Sequence, residues 1–340
     1  MTSLQDRDTV IRLIGGYMVS DAIRAAVHLA VFTHLDTTPG MRLEELAART
    51  RAPADHLDRV LNLLRYAGLI EQRESGLHNT RLGTVLVPGK PGSLAAFAEN
   101  FTSPLFQRAW DHLETSTLTG EAGFDREYHQ PVYDYLSQDT GANTLFNQAM
   151  QEEATATAES AAALISIGED ETVVDIGGGD GTFLTTVLQT APTATGIVFD
   201  SPAGIAAAEN VIARAGLTER CASIAGDFFA AIPPDGTTYI IKSVLQDWDD
   251  EHALALLSTC KEQIPDGARL IIIGNFLPDV YTDEAAVGYL TDVCMLVISG
   301  GRERTLADLT ALLDRAGFNT AELRHQRLGP LTAVELGPRR

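Results

Sequence analysis

The stretch Thr172-Val-Val-Asp-Ile-Gly-Gly-Gly-Asp-Gly-Thr-Phe-Leu184 decides the fold. It begins with a short β-branched run, passes through a glycine-rich turn and continues into a segment whose apolar residues recur at helical spacing. The glycines at 177, 179 and 181 allow the backbone to pass close to a ligand. A buried strand, a glycine turn and a helix in this order predict the first unit of a doubly wound, Rossmann-like α/β domain.

Four further β-branched runs support this prediction, because amphipathic stretches separate them as in a parallel sheet with helices on its faces. The runs cover residues 196–200, 222–224, 238–242 and 269–273. Near the end of the chain, Thr305-Leu-Ala-Asp308 has the form of a helix capping box, and Gly317 fits the end of that helix. We therefore assign residues 166–340 to one Rossmann-like domain.

The first hundred residues have a different pattern. Apolar residues at helical spacing predict one helix over residues 10–35, with small residues along one side that permit close contact with another helix. Two shorter helices, a short strand and a polar hairpin follow up to residue 80, which together indicate a winged helix. We interpret residues 1–100 as a winged-helix dimerisation domain and residues 101–165 as a helical segment between it and the substrate pocket.

Charge and composition limit the partners of the chain. With a formal net charge of −21 over 340 residues, the chain repels polyanions, and its candidate recognition helix at 55–65 has no excess of basic residues. Nucleic acid and anionic membranes are therefore not expected as partners. The three cysteines at 221, 260 and 294 form no Cys-x-x-Cys pair, which predicts no metal site and no disulfide framework and favours a cytoplasmic location.

The ends of the first three predicted strands carry residues that suit a nucleoside. Thr182 stands where a dinucleotide-binding Gly-x-Gly-x-x-Gly motif has its last glycine, so a ligand without a pyrophosphate fits better. Asp200 ends the second strand, where a carboxylate can accept hydrogen bonds from both ribose hydroxyls. After the third strand, Asp227 of Gly226-Asp-Phe228 can hold an adenine amino group while the Phe228 ring packs on the base. These features predict S-adenosylmethionine as the cofactor.

With these motifs the sequence resembles the plant-type, class I O-methyltransferases that actinobacteria use on aromatic and polyketide natural products. The resemblance includes the segments 146–150, 245–250 and 300–305 and spans nearly the whole chain. It implies methyl transfer from S-adenosylmethionine, with S-adenosylhomocysteine as product, to a small natural product by a homodimer. It also implies a cofactor site with Asp175, Gly177, Gly179, Asp200, Gly226, Asp227, Phe228 and Lys242, and an acceptor site with Phe146, Met150 and Met295.

One position departs from the family pattern. The resemblance places the family's general base, a histidine, where this chain has Gln246. A glutamine amide does not titrate near neutral pH, although it can orient an acceptor oxygen or a water molecule. Asp292 and Glu303 match the acidic residues that flank the base in the family, and we include both with Gln246 among the candidate catalytic residues. His252 is the nearest histidine, and we interpret it as a solvated residue at a helix start.

Gly274 is a second departure from the family pattern, since many relatives have an acidic residue at this strand end.

Three functions stay open. The first is methylation of an acidic oxygen, or of an activated carbon or nitrogen, for which the in-line approach matters more than base catalysis. The second retains the cofactor without methyl transfer and performs hydroxylation, decarboxylation or a pericyclic reaction, because a sulfonium can stabilise developing negative charge. The third is a ligand-sensing regulator that acts through the winged helix.

Overall fold

A computed structural model describes residues 4–337 of the chain. Among these, the chain forms two compact units. One unit holds the residues up to Gln107 together with Gln148–Glu153, and the other holds Arg108–Asn147 and the residues from Ala154 onward.

The first unit is a winged helix, as predicted. Its antiparallel hairpin pairs Ile70 with Asn79, and the hairpin packs beside the fifth helix of the chain. The elements are α1 (Leu4–Ile14), α2 (Gly16–His28), α3 (Val31–Thr37), α4 (Leu43–Thr50), α5 (Ala54–Tyr66), β1 (Ile70–Arg73), β2 (Gly76–Asn79), α6 (Arg81–Thr84) and α7 (Ala95–Phe101), with α8 (Pro104–Trp110) at the boundary of the units.

The single helix predicted over residues 10–35 is wrong. Three helices cover this region, and the chain turns between them at Gly15 and at Ala30. Ala30 adopts the left-handed conformation with φ of 54°, which ends the helical path before it. This turn directs Val31 and Phe32 into the core of the unit, where each is at most 1% exposed. Burial of these side chains therefore outweighs the helical propensity of a continuous segment.

The second unit contains the remaining elements. Its helices are α9 (Leu113–Thr119), α10 (Gly123–Tyr128), α11 (Val132–Gln138), α12 (Thr140–Ala162), α13 (Thr182–Thr190), α14 (Ala208–Arg214), α15 (Asp250–Gln263), α16 (Ala286–Ile298) and α17 (Leu306–Arg315). Its strands are β3 (Thr172–Ile176), β4 (Thr195–Asp200), β5 (Cys221–Ala225), β6 (Thr238–Lys242), β7 (Arg269–Asn275), β8 (Arg324–Leu328) and β9 (Leu331–Leu336). Short 3₁₀ turns lie at Gly204–Ala207, Leu245–Asp247, Asp283–Ala285 and Thr320–Glu322.

The seven strands of this unit form one sheet in the order β5-β4-β3-β6-β7-β9-β8. Strands β3 to β7 are parallel, whereas β9 is antiparallel to both β7 and β8. The predicted doubly wound domain is thereby confirmed. The capping box at Thr305 and Asp308 is also confirmed at the start of α17. In this order the carboxyl ends of β3, β4, β5 and β6 lie at one edge of the sheet, where such folds bind their ligands.

Both faces of the sheet are buried, which explains why its strands are apolar at successive positions. Val173 belongs to the core on one face and Val174 to the core on the other. Helices cover both faces, as a parallel sheet requires. Among residues 4–337, no helix combines the length and apolar character needed to cross a membrane.

A buried ion pair joins the starts of three strands. Arg269 of β7 contacts the Glu171 carboxylate at 3.0 Å, and Glu171 also accepts a hydrogen bond from Thr238 of β6 at 2.6 Å. Glu171 and Arg269 are 2% and 6% exposed, so the pair is shielded from water. Burial acts to raise the pKa of Glu171, but the bonds from Thr238 and Arg269 and the arginine charge outweigh it and lower that pKa.

Glu171→Ala should destabilise the chain by about 1–3 kcal/mol, because the buried Arg269 loses one of its two carboxylate partners and keeps only Glu335, at 3.2 Å. Chemical denaturation measures this loss, and the exposed Glu322→Ala is the control that should change stability little. The contribution of Glu171 should be present above its unfolded-state pKa and decline as the pH falls through its lowered folded-state pKa. A variant as stable as the control would contradict this account.

Candidate active site

The glycine loop after β3 is held at the carboxyl edge of the sheet. The Gly177 amide donates to the Phe199 carbonyl at 2.8 Å, and the Gly179 amide donates to the Asp200 carboxylate at 2.9 Å. Gly177 and Gly179 have φ of 71° and 56°, which disfavours other residues. A Cβ at Gly177 would lie 2.5 Å from Val244, whereas one at Gly179 would have no protein atom within 4 Å. The loop is therefore tightly packed on one side and open where it faces a ligand.

Asp200 lies at the end of β4, between two of the loops predicted to hold the cofactor. Its carboxylate accepts hydrogen bonds from the Gly179 and Ser201 amides, and its carbonyl accepts one from Gly226 at 2.9 Å. Burial raises the pKa of this carboxyl, and the bonds from Gly179 and Ser201 oppose the rise. The structure thus brings together Gly177, Gly179, Asp200 and Gly226, as the sequence pattern predicts.

Asp175 lies beneath the glycine loop and is 2% exposed. Burial raises the pKa of Asp175 to about 7, the nearby Lys242 charge lowers it, and Asp200 and Asp180 raise it further. The Lys242 ammonium also lies 5.9 Å from the centre of the Phe183 ring. Asp175 and Lys242 lie at the ends of adjacent strands, where the lysine charge favours the ionised form of Asp175.

Asp227 and Phe228 follow β5 at the same edge. The Asp227 carboxylate accepts a hydrogen bond from the Phe229 amide at 2.9 Å, and the side chain is otherwise exposed. The Phe228 ring is half-buried and meets Trp248 edge-on at 6.1 Å. An exposed carboxylate beside an aromatic face suits an adenine ring and its amino group.

These residues fit S-adenosylmethionine. The open side of the glycine loop, the Asp200 carboxylate and the Phe228 ring present acceptors and an aromatic surface at the ends of successive strands. Among the side chains described above, no cluster of basic residues is present that could bind the phosphates of a dinucleotide. The contact of each individual residue with the cofactor stays a prediction.

The 3₁₀ turn after β6 carries Gln246, and a buried arginine fixes that turn. The Arg304 guanidinium donates to the Leu245 carbonyl at 2.6 Å and to the Trp248 carbonyl at 2.9 Å. It also pairs with Asp250 at 2.8 Å. Arg304 therefore holds the backbone on both sides of Gln246.

Gly301 packs against the same turn, which provides a test of its importance. A Cβ at Gly301 would lie 2.1 Å from the Gln246 carbonyl oxygen and 2.7 Å from the Trp248 amide. Gly301→Ala should therefore displace the turn, lower the stability by about 1–3 kcal/mol and reduce turnover. Thermal unfolding and activity assays measure both effects. Gly274→Ala is the stability control, because its Cβ would meet only Phe276, at 3.9 Å; equal stability of both variants would contradict the prediction.

Three carboxyl groups lie near Gln246. Asp292 accepts a hydrogen bond from the Glu303 amide at 2.9 Å, so the structure brings these two predicted residues together. Burial raises the pKa of Glu303 to about 7, a hydrogen bond with Thr291 lowers it, and the charges of Asp247 and Asp292 raise it. Burial likewise raises the pKa of Asp247 to about 7 against the effect of its hydrogen bond from Tyr133.

Aromatic side chains surround Asp247. The Tyr133 hydroxyl donates to Asp247 at 2.7 Å, and the Tyr133 ring stacks on Trp248 at 5.8 Å. Phe146 meets Tyr133 edge-on, with the ring centres 6.2 Å apart, so this predicted acceptor residue contacts the tyrosine that binds Asp247. The helix that carries Phe146 is held by a hydrogen bond from Asn147 to the Ala203 carbonyl at 2.9 Å.

The other acceptor residues are less constrained. Met295 lies half-buried on α16, one helical turn after Thr291, a neighbour of Glu303. Met150 lies one turn after Phe146 on α12. The roles of both methionines stay predictions.

Sequence reasoning missed Asp247, Tyr133 and Arg304 as parts of this site. Asp247 and Arg304 were available in the motifs around Gln246 and Glu303, whereas Tyr133 lies in a helical segment without a recognisable motif. His252 is at the start of α15 with a side chain that is 57% exposed, which confirms its interpretation as a solvated residue.

Comparisons with known proteins identify the family of the chain. Residues 110–319 match the O-methyltransferase domain, and residues 11–89 match the O-methyltransferase dimerisation domain. The chain is similar to O-demethylpuromycin-O-methyltransferase of Streptomyces alboniger, with 37% identity over 98% of this chain and 89% of the relative. It is also similar to the solved structure of a mitomycin 7-O-methyltransferase, with a TM-score of 0.87, 31% identity and 98% of each chain covered. A second similar structure is that of human N-acetylserotonin methyltransferase in complex with S-adenosylmethionine, with a TM-score of 0.87, 25% identity and 99% of each chain covered. The chain belongs to the O-methyltransferase family and is an enzyme that uses S-adenosylmethionine.

Proposed function

We propose that the enzyme methylates a phenolic hydroxyl group of a small aromatic natural product. The observation that carries this proposal is the aromatic group of Tyr133, Phe146 and Trp248 beside the carboxyl groups of Asp247 and Glu303. Aromatic side chains suit a planar acceptor, and two of the relatives named above are an O-demethylpuromycin O-methyltransferase and a mitomycin 7-O-methyltransferase. The substrate class therefore follows from both the pocket and the likeness.

S-adenosylmethionine, when bound, supplies an electrophilic methyl group. The residues of the chain position the two reactants. The Asp200 carboxylate and the loop at Gly179 hold the nucleoside. Arg304 fixes the turn that carries Gln246. The Gln246 amide can orient the acceptor oxygen for an in-line approach. Asp292 fixes the backbone of Glu303 and thereby shapes the pocket.

A turnover assay tests this proposal. The purified enzyme is incubated with S-adenosylmethionine and a panel of aromatic hydroxyl compounds that includes O-demethylpuromycin, and the release of S-adenosylhomocysteine is followed. We expect release that depends on the acceptor. Acceptor conversion to a product without an added methyl group would overturn the proposal in favour of non-methylating chemistry.

We also propose that the enzyme is a homodimer. The match to the dimerisation domain covers residues 11–89, and apolar side chains of α1 and α2 are exposed in this unit. They include Ile11 at 60%, Leu13 at 75% and Tyr17 at 60% exposure. A second copy of the chain would remove this surface from water. Light scattering should give twice the mass of one chain, and a purely monomeric species would contradict the proposal.

A cytoplasmic location is part of the same proposal. Cys221, Cys260 and Cys294 are free, as expected in a reducing compartment. Burial raises the pKa of these thiols to about 11, 12 and 11, respectively, which makes them poorly reactive. Complete thiol titration after unfolding under non-reducing conditions checks that they are unpaired.

A further inference from the structure

We propose that Glu303 is the proton acceptor for the substrate hydroxyl in this enzyme, at a site where Gln246 cannot accept the proton. This inference rests on the proposed function and assigns a step of it to one side chain. Both residues line the same small cavity of about 20 Å³, which has room for about one water molecule. Gln246 and Glu303 therefore border one space that a single water molecule can occupy.

The shape of this cavity follows from Gly274 at the end of β7. A Cβ there would meet only Phe276, at 3.9 Å, so the position leaves space next to Gln246 and Glu303. The adjacent Asn275 also lines the cavity and offers a neutral amide. The two positions that we predict to depart from the family pattern, 246 and 274, thus line one cavity together with the buried Glu303.

The surroundings of Glu303 favour a carboxyl group that changes its protonation state near neutral pH. Glu303 is 7% exposed, and burial raises its pKa to about 7. Asp292 on α16 and Asp247 on the 3₁₀ turn raise this pKa further, while Arg304 and the hydrogen bond with Thr291 lower it. Arg302 is the other charged residue of the cavity wall. A base that titrates near the working pH is efficient in general base catalysis.

The proposed step transfers one methyl group to the acceptor oxygen and one proton to Glu303. The acceptor oxygen forms its bond to the methyl carbon while the bond from that carbon to sulfur breaks and its electron pair stays on sulfur. The hydroxyl proton goes to the Glu303 carboxylate, which becomes neutral. The positive charge of the sulfonium and the negative charge of the carboxylate are lost together, and solvent removes the proton from Glu303 afterwards.

Infrared spectroscopy across pH 5–9 tests the proton acceptor without turnover. We expect the protonated-carboxyl signal that titrates near pH 7 in the enzyme with S-adenosylmethionine to lose one component in Glu303→Gln and to be unchanged in the exposed control Glu322→Gln. Asp175 and Asp247, whose pKa values burial also raises to about 7, supply the components that remain. A Glu303 carboxyl that stays ionised, or stays protonated, across this range overturns the proposal whatever the acceptor.

Kinetics with two acceptors separate base catalysis from a structural role. For an ordinary phenol, whose pKa is about 10, Glu303→Gln should lower kcat about 100-fold with little change in KM and remove the rise of rate with pH through about 7. For a nitrophenol that is ionised at neutral pH, the same variant should stay within about threefold of the unaltered enzyme and of Glu322→Gln. Equal losses for both acceptors would overturn the proposal, whereas absence of methyl transfer by the unaltered enzyme would overturn the proposed function and leave the infrared result to decide on Glu303.

Discussion

Asp200→Asn should weaken S-adenosylmethionine binding about 100-fold, because the Asp200 carboxylate is proposed to accept hydrogen bonds from both ribose hydroxyl groups. Hydrogen bonds to a charged acceptor are worth more than those to a neutral amide, and an asparagine can present only one oxygen. The change also weakens the bond that Asp200 makes to the Gly179 amide at 2.9 Å. The loss of affinity should therefore combine a direct and an indirect effect.

Isothermal titration calorimetry measures this loss, with Asp266→Asn as the matched control. Asp266 is an exposed aspartate of the same unit, so its replacement should leave the affinity for S-adenosylmethionine unchanged. A Kd for Asp200→Asn within a factor of three of the control would show that Asp200 does not bind the cofactor. Thermal unfolding without ligand shows whether the variant is folded.

Gln246→His should rescue Glu303→Gln by about 100-fold in kcat for an ordinary phenol. An imidazole at position 246 would titrate near neutral pH and accept the proton that the altered residue 303 no longer takes. In the otherwise unaltered enzyme the same substitution should raise kcat only a few-fold, because Glu303 already provides a base. The two substitutions should therefore be strongly non-additive, as expected for groups that share one role.

A double-variant cycle with both phenols checks this rescue. Rescue confined to the ordinary phenol supports one shared proton-transfer step. If the double variant is as slow as Glu303→Gln alone, the geometry at position 246 does not allow base catalysis, and the link between the two side chains is wrong.

The fold was predictable where local pattern and burial agree. The strand, turn and helix around Gly177 follow from β-branched residues, glycines and helical periodicity, and the capping box at Thr305 follows from local chemistry. The helix over residues 10–35 was wrong at two places. The Gly15-Gly16 pair was a local turn signal that the prediction overlooked, whereas the left-handed turn at Ala30 has no local signal. Strand β8 was missed because few of its side chains are buried. Strand β9 was missed although most of its residues are buried.

The cofactor side was predictable because it lies at strand ends, where parallel topology places Gly179, Asp200 and Gly226 at one edge. The acceptor side required the structure. Tyr133 reaches Asp247 from 114 positions away in sequence, and Arg304 holds a turn 56 to 59 positions before it. Such contacts depend on tertiary packing, which composition and spacing do not encode.

Transfer of a deuterium-labelled methyl group shows whether the enzyme methylates an aromatic hydroxyl group. S-adenosylmethionine with a trideuterated methyl group is incubated with the enzyme and an aromatic hydroxyl acceptor, and the product is analysed by mass spectrometry and NMR. The account predicts one labelled methyl group on the acceptor oxygen for each S-adenosylhomocysteine formed. A converted acceptor without the label would contradict it.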